Sequence, residues 1–159
     1  LEALVADSPT AVPASDFSAA MTGGTFHLLG RAAKYTVLYF YPKDNTPGCT
    51  TESMAFRDLY PEFEHAHTEI YGISRDSLRS HEGFKSKLGL PFELISDPDE
   101  AVCLRFGVMK MKNMYGKQVR GIERSTFVID AKGNIVKEWR GVKVAEHANE
   151  VLEFVRNRP

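Results

Sequence analysis

KYTVLYFY, Lys34 to Tyr41, is an unbroken aromatic and β-branched run, and its composition predicts a strand buried on both faces. PKDNTPG, Pro42 to Gly48, follows as a dense cluster of turn residues. The period then becomes helical. Ala55, Leu59 and Phe63 recur at spacing four with Phe56 and Tyr60 beside them, which predicts an amphipathic helix kinked or broken at Pro61. TEIYGIS, Thr68 to Ser74, reads as a second strand, and strand, helix and strand in this order predict a parallel βαβ unit.

Beyond it, SLRSHEGFKSKLG predicts a helix ending at Gly89, FELISD a short strand and DEAVCLRFGV a short helix. Lys110 to Arg124 is polar and punctuated by glycine, which predicts a loop or an edge strand. STFVID and NIVKEWRG, separated by AKG, predict an antiparallel hairpin. VAEHANEVLEFVRNR predicts a terminal helix, apolar at Val144, Ala148, Val151, Leu152 and Val155. Ahead of the central strand, TFHLL reads as a short strand and residues 1–21 as an irregular N-terminal arm. Parallel βαβ followed by ββα gives the fold class: α/β, one domain over residues 1–159 with a thioredoxin-like layout, a mixed central sheet flanked by helices.

Composition narrows the partners. Twenty Lys and Arg against 21 Asp and Glu give a net charge of -1, so the overall charge supplies no reason to expect nucleic acid or an anionic membrane as partner. No apolar run approaches a transmembrane length. LEALVADSPT has no basic region followed by an apolar block, so no signal peptide is expected. Two cysteines are too few for a disulfide scaffold, and a reducing compartment, the cytoplasm, is the expected setting. No long exposed edge or apolar stripe demands a dimer, so a monomer is expected.

Of the two cysteines, Cys49 stands where the buried strand gives way to the helix. The first turn of a helix offers free N–H groups and a partial positive charge, and both favour thiolate over thiol. Cys49 as small core filler is the plainer reading, but Thr46, Pro47, Gly48, Thr50, Thr51 and Glu52 around it are polar or turn residues. A dithiol redox motif would place a second cysteine where Glu52 stands. A cysteine hydrolase needs a histidine base, and none of His27, His65, His67, His81 and His147 lies on an obvious strand-end loop facing Cys49. His65 and His67 form H-x-H at the far end of the helix and read as solvated, so no metal and no cofactor are expected. Attack on a peroxide O–O bond remains, a reaction needing neither base nor neighbouring thiol and yielding a sulfenic acid. It calls for a donor to hold the peroxide and a cation for the charge moving to the leaving oxygen.

Pro42, Thr46 and Cys49 match P-x-x-x-T-x-x-C, the signature of the peroxiredoxins. FYPKDNTPGCTTE and KNMYGKQVRGIERSTFVID resemble the peroxiredoxin Q, or bacterioferritin comigratory protein, branch, and the resemblance runs from about Thr22 to the C-terminus. It implies a thiol-dependent peroxidase acting on hydrogen peroxide and organic hydroperoxides. Cys49 would be the peroxidatic cysteine, Thr46 would hydrogen-bond peroxide and thiolate, and Pro42 would shield the sulfur. Arg124 would be the cation, and the N–H groups of Gly48 and Cys49 would bind peroxide oxygens. Glu52 would orient Arg124. Alone, Thr46 reads as a helix cap, Pro42 as a strand terminator, Arg124 as a solvent-facing arginine and Glu52 as a favourable helix-start charge.

The branch often places a resolving cysteine where this chain has Met54, or on the next helix where it has Lys85. Cys103 reads as a buried structural residue beside Ala101, Val102 and Leu104. The expected cycle therefore uses one cysteine and an external thiol, thioredoxin or glutaredoxin with glutathione. The alternatives are a two-cysteine cycle through Cys103, or a peroxide sensor that relays oxidation to a partner.

Overall fold

The computed structural model describes residues 12–14 and 16–158. In chain order these form β1 (Val12–Pro13), β2 (Ser18–Met21), β3 (Gly24–His27), β4 (Tyr35–Phe40), α1 (Pro47–His65), β5 (Thr68–Ser74) and α2 (Leu78–Leu88). There follow β6 (Leu94–Ser96), α3 (Ala101–Arg105), β7 (Met109–Met114), β8 (Lys117–Ile122), β9 (Ser125–Asp130), β10 (Asn134–Arg140) and α4 (His147–Arg156). Eight strands make one sheet of order β1-β10-β9-β4-β5-β6-β2-β3, and β7 pairs only with β8.

All six residues of β4 are buried, as a strand covered on both faces requires. Its side chains alternate between two cores. Val37, Tyr39 and Tyr41 face the layer of α1, α2 and α4, where Phe56, Phe84, Val151 and Leu152 pack. Leu38 and Phe40 face the other side, with Phe17, Phe26, Val102, Cys103 and Phe106. The β4–α1–β5 unit is parallel, with Tyr35 opposite Thr68 and Phe40 opposite Ile73. The β9–β10 hairpin is antiparallel, and β9 runs antiparallel to β4. The chain thus has the thioredoxin-like layout, a mixed sheet flanked by helices.

Gly72 makes room for the Tyr39 ring. A Cβ there would lie 2.7 Å from the Tyr39 ring and 2.8 Å from Leu94. The space it leaves lets Tyr39 stack on Phe56 and reach Ser53 of α1 with its hydroxyl, 2.8 Å away.

Four expectations need correction. Within the N-terminal arm expected to be irregular, β1 pairs with β10, and β2 pairs with both β3 and β6; residues 1–11 and 15 lie outside the described residues. Lys110 to Arg124 is neither a loop nor a single strand on the main sheet but most of a separate two-stranded ribbon, each strand of which is an edge. The break expected as one alternative at Pro61 does not occur, since α1 continues through it to His65. Its buried face consists of Cys49, Glu52, Ser53, Phe56 and Phe63, with Ala55 and Leu59 only partly covered. The face is rotated because Ser53 meets Tyr39 and Glu52 meets Arg124, two polar contacts that an apolar count omits.

Candidate active site

Pro47 opens α1 at a position where its missing N–H costs no helical bond, and Cys49 stands two residues further on. The sulfur is buried, as core filler would be, but its surroundings are polar. Thr46 occupies the capping position, yet its side chain caps no N–H. Its hydroxyl donates instead to Lys43 O at 2.7 Å, which leaves its lone pairs able to accept. No hydrogen bond joins Thr46 to the Cys49 sulfur, against the expectation that it would hold the thiolate; among the described side chains only Arg124 donates to that sulfur. The Gly48 and Cys49 N–H groups belong to the first turn, where no intrahelical acceptor exists. Pro42 lies half-buried between β4 and this turn.

Arg124 joins β8 to β9. The antiparallel register sets Ser125 opposite Phe40, which carries Arg124 to the end of β4 where α1 begins. Its Nη2 lies 3.5 Å from Cys49 Sγ, and its Nη1 donates to Glu52 Oε1 at 2.6 Å. Gly48 permits this approach, since a Cβ there would stand 3.1 Å from Nη2. Burial pulls Arg124 down, but Glu52 and Cys49 outweigh it and hold the guanidinium above its ordinary pKa.

Glu52 is the unusual member. It is 1% exposed, and its Oε2 has no hydrogen-bond partner among the described residues. Burial raises its pKa to about 7, against the pull of Arg124. The folded chain therefore holds this proton more tightly than the unfolded chain. Its contribution to stability is largest below the ordinary value of 4.5 and falls as pH rises through about 7. A shift of that size corresponds to about 3 kcal/mol. Glu52→Gln removes the titration, so urea midpoints should fall less between pH 5 and pH 8 in the variant than in the wild type. Equal slopes would take Glu52 out of the pH dependence.

A second set of contacts fixes the loop before Cys49. The Asp44 carboxylate accepts from Tyr41 Oη at 2.7 Å and Ser80 Oγ at 2.8 Å, and lies 2.8 Å from His81 Nδ1. The Asp44 N–H donates to Asp76 Oδ2 at 2.9 Å, and His81 Nε2 to Ile95 O at 2.9 Å. The loop carrying Thr46 is thereby tied to α2 and β6. In the sequence Asp44 reads only as a turn residue, because its partners other than Tyr41 are 32 to 37 residues away. Asp44, Asp76 and His81 hold ligand-type atoms within 4.8 Å of one another, but these atoms are already engaged in the hydrogen bonds just named.

The remaining candidates lie elsewhere. Cys103 is fully buried in the core across the sheet from Cys49. Burial and the adjacent Asp97 carboxylate push its thiol far above the ordinary range, which leaves it unreactive. Met54 lies on α1, and Lys85 on α2 donates to Glu93 at 2.8 Å. His65 and His67 are exposed. His147 is buried with Nε2 2.8 Å from Thr126 Oγ1, so neither it nor His81 serves the sulfur as a base.

Comparison with known proteins bears on the family and the fold. The AhpC/TSA family matches residues 10–138. Peroxiredoxin Bcp of Xanthomonas campestris is 52% identical over 153 residues, 94% of this chain and 96% of that protein. Peroxiredoxin Bcp of Bacillus subtilis is 47% identical over 135 residues, 85% of this chain and 86% of that protein. A solved structure of Xanthomonas campestris peroxiredoxin Q, 52% identical, superposes with a TM-score of 0.83 over 88% of this chain and 89% of that one. The bacterioferritin comigratory protein of the same organism, solved as a trapped intermediate/ligand complex to explain its alkyl peroxide reduction activity, is 51% identical with a TM-score of 0.83 over 88% and 90%.

Proposed function

The chain belongs to the AhpC/TSA family, in its peroxiredoxin Q or Bcp branch, and is a thiol-dependent peroxidase; from that premise we propose that Cys49 is the peroxidatic cysteine and that it is recycled by an external thiol. The observation that carries the first part is the Arg124 Nη2 at 3.5 Å from Cys49 Sγ, in the first turn of α1.

The thiolate sulfur of Cys49 attacks the terminal oxygen of the hydroperoxide. The S–O bond forms as the O–O bond breaks, and the electron pair leaves on the distal oxygen as hydroxide or alkoxide. That oxygen takes a proton and departs as water or an alcohol, while Cys49 becomes a sulfenic acid. Arg124 stabilises charge as it moves from sulfur to leaving oxygen, and the Gly48 and Cys49 N–H groups receive the peroxide oxygens. Thr46 accepts from the peroxide O–H, its own proton being committed to Lys43 O. Pro42 keeps water from one side of the sulfur. Glu52 aims the guanidinium. Alkyl hydroperoxides, the substrates of the Xanthomonas relative, fit the same chemistry.

The placement of the second thiol supports this recycling. A disulfide needs Cα atoms within roughly 4.4–6.8 Å. Cys49 and Cys103 belong to cores on opposite faces of the sheet, so pairing them would require one segment to leave its core. An external thiol instead condenses with the sulfenic acid, releasing water and leaving a mixed disulfide. A second thiol then frees the Cys49 thiolate and carries away the disulfide. Thioredoxin, or glutathione with glutaredoxin, supplies such thiols. Cys103→Ser should keep most turnover with a protein reductant, and loss of turnover would favour the two-cysteine alternative.

The setting we propose is the cytoplasm, supported by two unpaired cysteines. Among the described residues no helix is long and apolar enough to cross a membrane. We read the protein as a monomer. The described sheet ends in β1 and β3, of two and four residues, edges too short to template a stable strand pairing.

A further inference from the structure

The β7–β8 ribbon is hydrogen-bonded to neither edge of the main sheet. From Met109 to Ile122 it carries Lys110, Lys112, Lys117 and Arg120 and no acidic residue, in a chain whose net charge is -1. Its register pairs Lys110 with Gly121, Lys112 with Val119 and Met114 with Lys117. Directly paired residues share a face, so three lysines, Met114 and Val119 lie on one side. Arg120, paired with Met111, lies on the other, where it bonds Glu100 at 2.5 Å.

Two features set this face apart from ordinary surface. Lys110, Met114, Lys117 and Val119 are exposed, and Tyr115 at the tip is 100% exposed. Single exposed apolar side chains need no explanation, but here they alternate with lysines on one ribbon. Tyr115 and Gly116 both have positive φ, 53° and 80°, which is the two-residue turn that holds a ribbon at its natural twist. The face also leads to the reacting sulfur. Lys112 Nζ donates to Ile122 O at 2.5 Å, two residues before Arg124, whose Nη2 lies 3.5 Å from Cys49 Sγ.

A mixed disulfide holds its two sulfurs about 2.05 Å apart. A protein thiol that reduces Cys49 itself must therefore press its own surface against the start of α1 and whatever stands beside it. We propose that the lysine-bearing face of the β7–β8 ribbon is the docking surface for the protein thiol reductant, whose surface around its reactive sulfur bears carboxylates. The proposal rests on the external-thiol cycle. Long-range charge attraction speeds encounter and sets orientation, and Met114, Val119 and Tyr115 supply the apolar contact that interface centres favour.

The test is Lys110→Glu/Lys117→Glu in the full chain, assayed with thioredoxin and its reductase, with glutaredoxin and glutathione, and with dithiothreitol. The KM for the protein reductant should rise about tenfold with kcat little changed, and the salt dependence of the wild-type KM should be lost. Sulfenic acid formation and turnover with dithiothreitol should stay as in the wild type. An unchanged KM would overturn the proposal, as would a fall in dithiothreitol turnover, which would assign the ribbon to the peroxide step. Wild-type turnover with dithiothreitol but with neither protein system would overturn the external-protein cycle itself, and the docking surface with it. Cosedimentation with phosphatidylglycerol vesicles that the variant loses, at unchanged KM, would give the face to a membrane instead.

Discussion

In Cys49→Ser, peroxide consumption with dithiothreitol as reductant falls to the uncatalysed background, a loss of roughly a thousandfold or more. The substitution is nearly isosteric at a buried position, so the fold survives and the loss is chemical. A serine hydroxyl stays protonated at neutral pH and lacks sulfur's reactivity toward O–O bonds. Far-UV circular dichroism should match the wild type. Retained turnover in this variant would move the reaction to another group, and the buried Cys103 would have to carry it.

Arg124→Met lowers the rate of sulfenic acid formation about 10²–10³-fold, the usual cost of removing a donor aimed at developing charge. It also leaves Glu52 buried without its partner. Breaking a buried pair in this way commonly costs about 3–5 kcal/mol, but Glu52 already takes up its proton near pH 7 and neutralises in response. Stability therefore falls most above pH 7 and less below it. The double variant Arg124→Met/Glu52→Gln separates the two roles. It should recover much of the stability, read by urea midpoint, and none of the rate, read by competition for peroxide. Recovery of the rate would make Arg124 a packing residue only.

What the sequence disclosed depended on how local the determining interactions are. β4, the βαβ crossover and the β9–β10 hairpin were legible because burial on both faces, a change of period and the AKG turn leave marks within a few residues. β2 left none: Ser-Ala-Ala-Met, Ser18–Met21, has no polar–apolar alternation in sequence and is a strand because β3 and β6 hold it. Met109 to Lys112 alternates apolar and basic residues, but the β7–β8 ribbon is exposed over most of both faces, so no buried face marks it as a strand, and the tight turn at Tyr115–Gly116 is its other local sign. At the site, Pro42, Thr46, Gly48, Cys49 and Arg124 came from the motif, and the fold gathers them at the start of α1 and the β8–β9 junction. Thr46 was misjudged in one respect, since its hydroxyl turns back to Lys43 O, a backbone choice no side-chain pattern reveals. The buried Asp44–His81 contact and the approach of Lys112 join residues distant in the chain, and nothing in local spacing points to them.

The central claim is that Cys49 alone takes the oxidation and waits for an outside thiol. Intact-mass spectrometry of the reduced chain, treated with one equivalent of hydrogen peroxide beside a sulfenic-acid trap, tests it most directly. The account predicts one trap per chain in the wild type and in Cys103→Ser, and none in Cys49→Ser. A loss of two hydrogens without trapping would contradict it, because Cys103 would then have crossed the sheet to form a disulfide with Cys49.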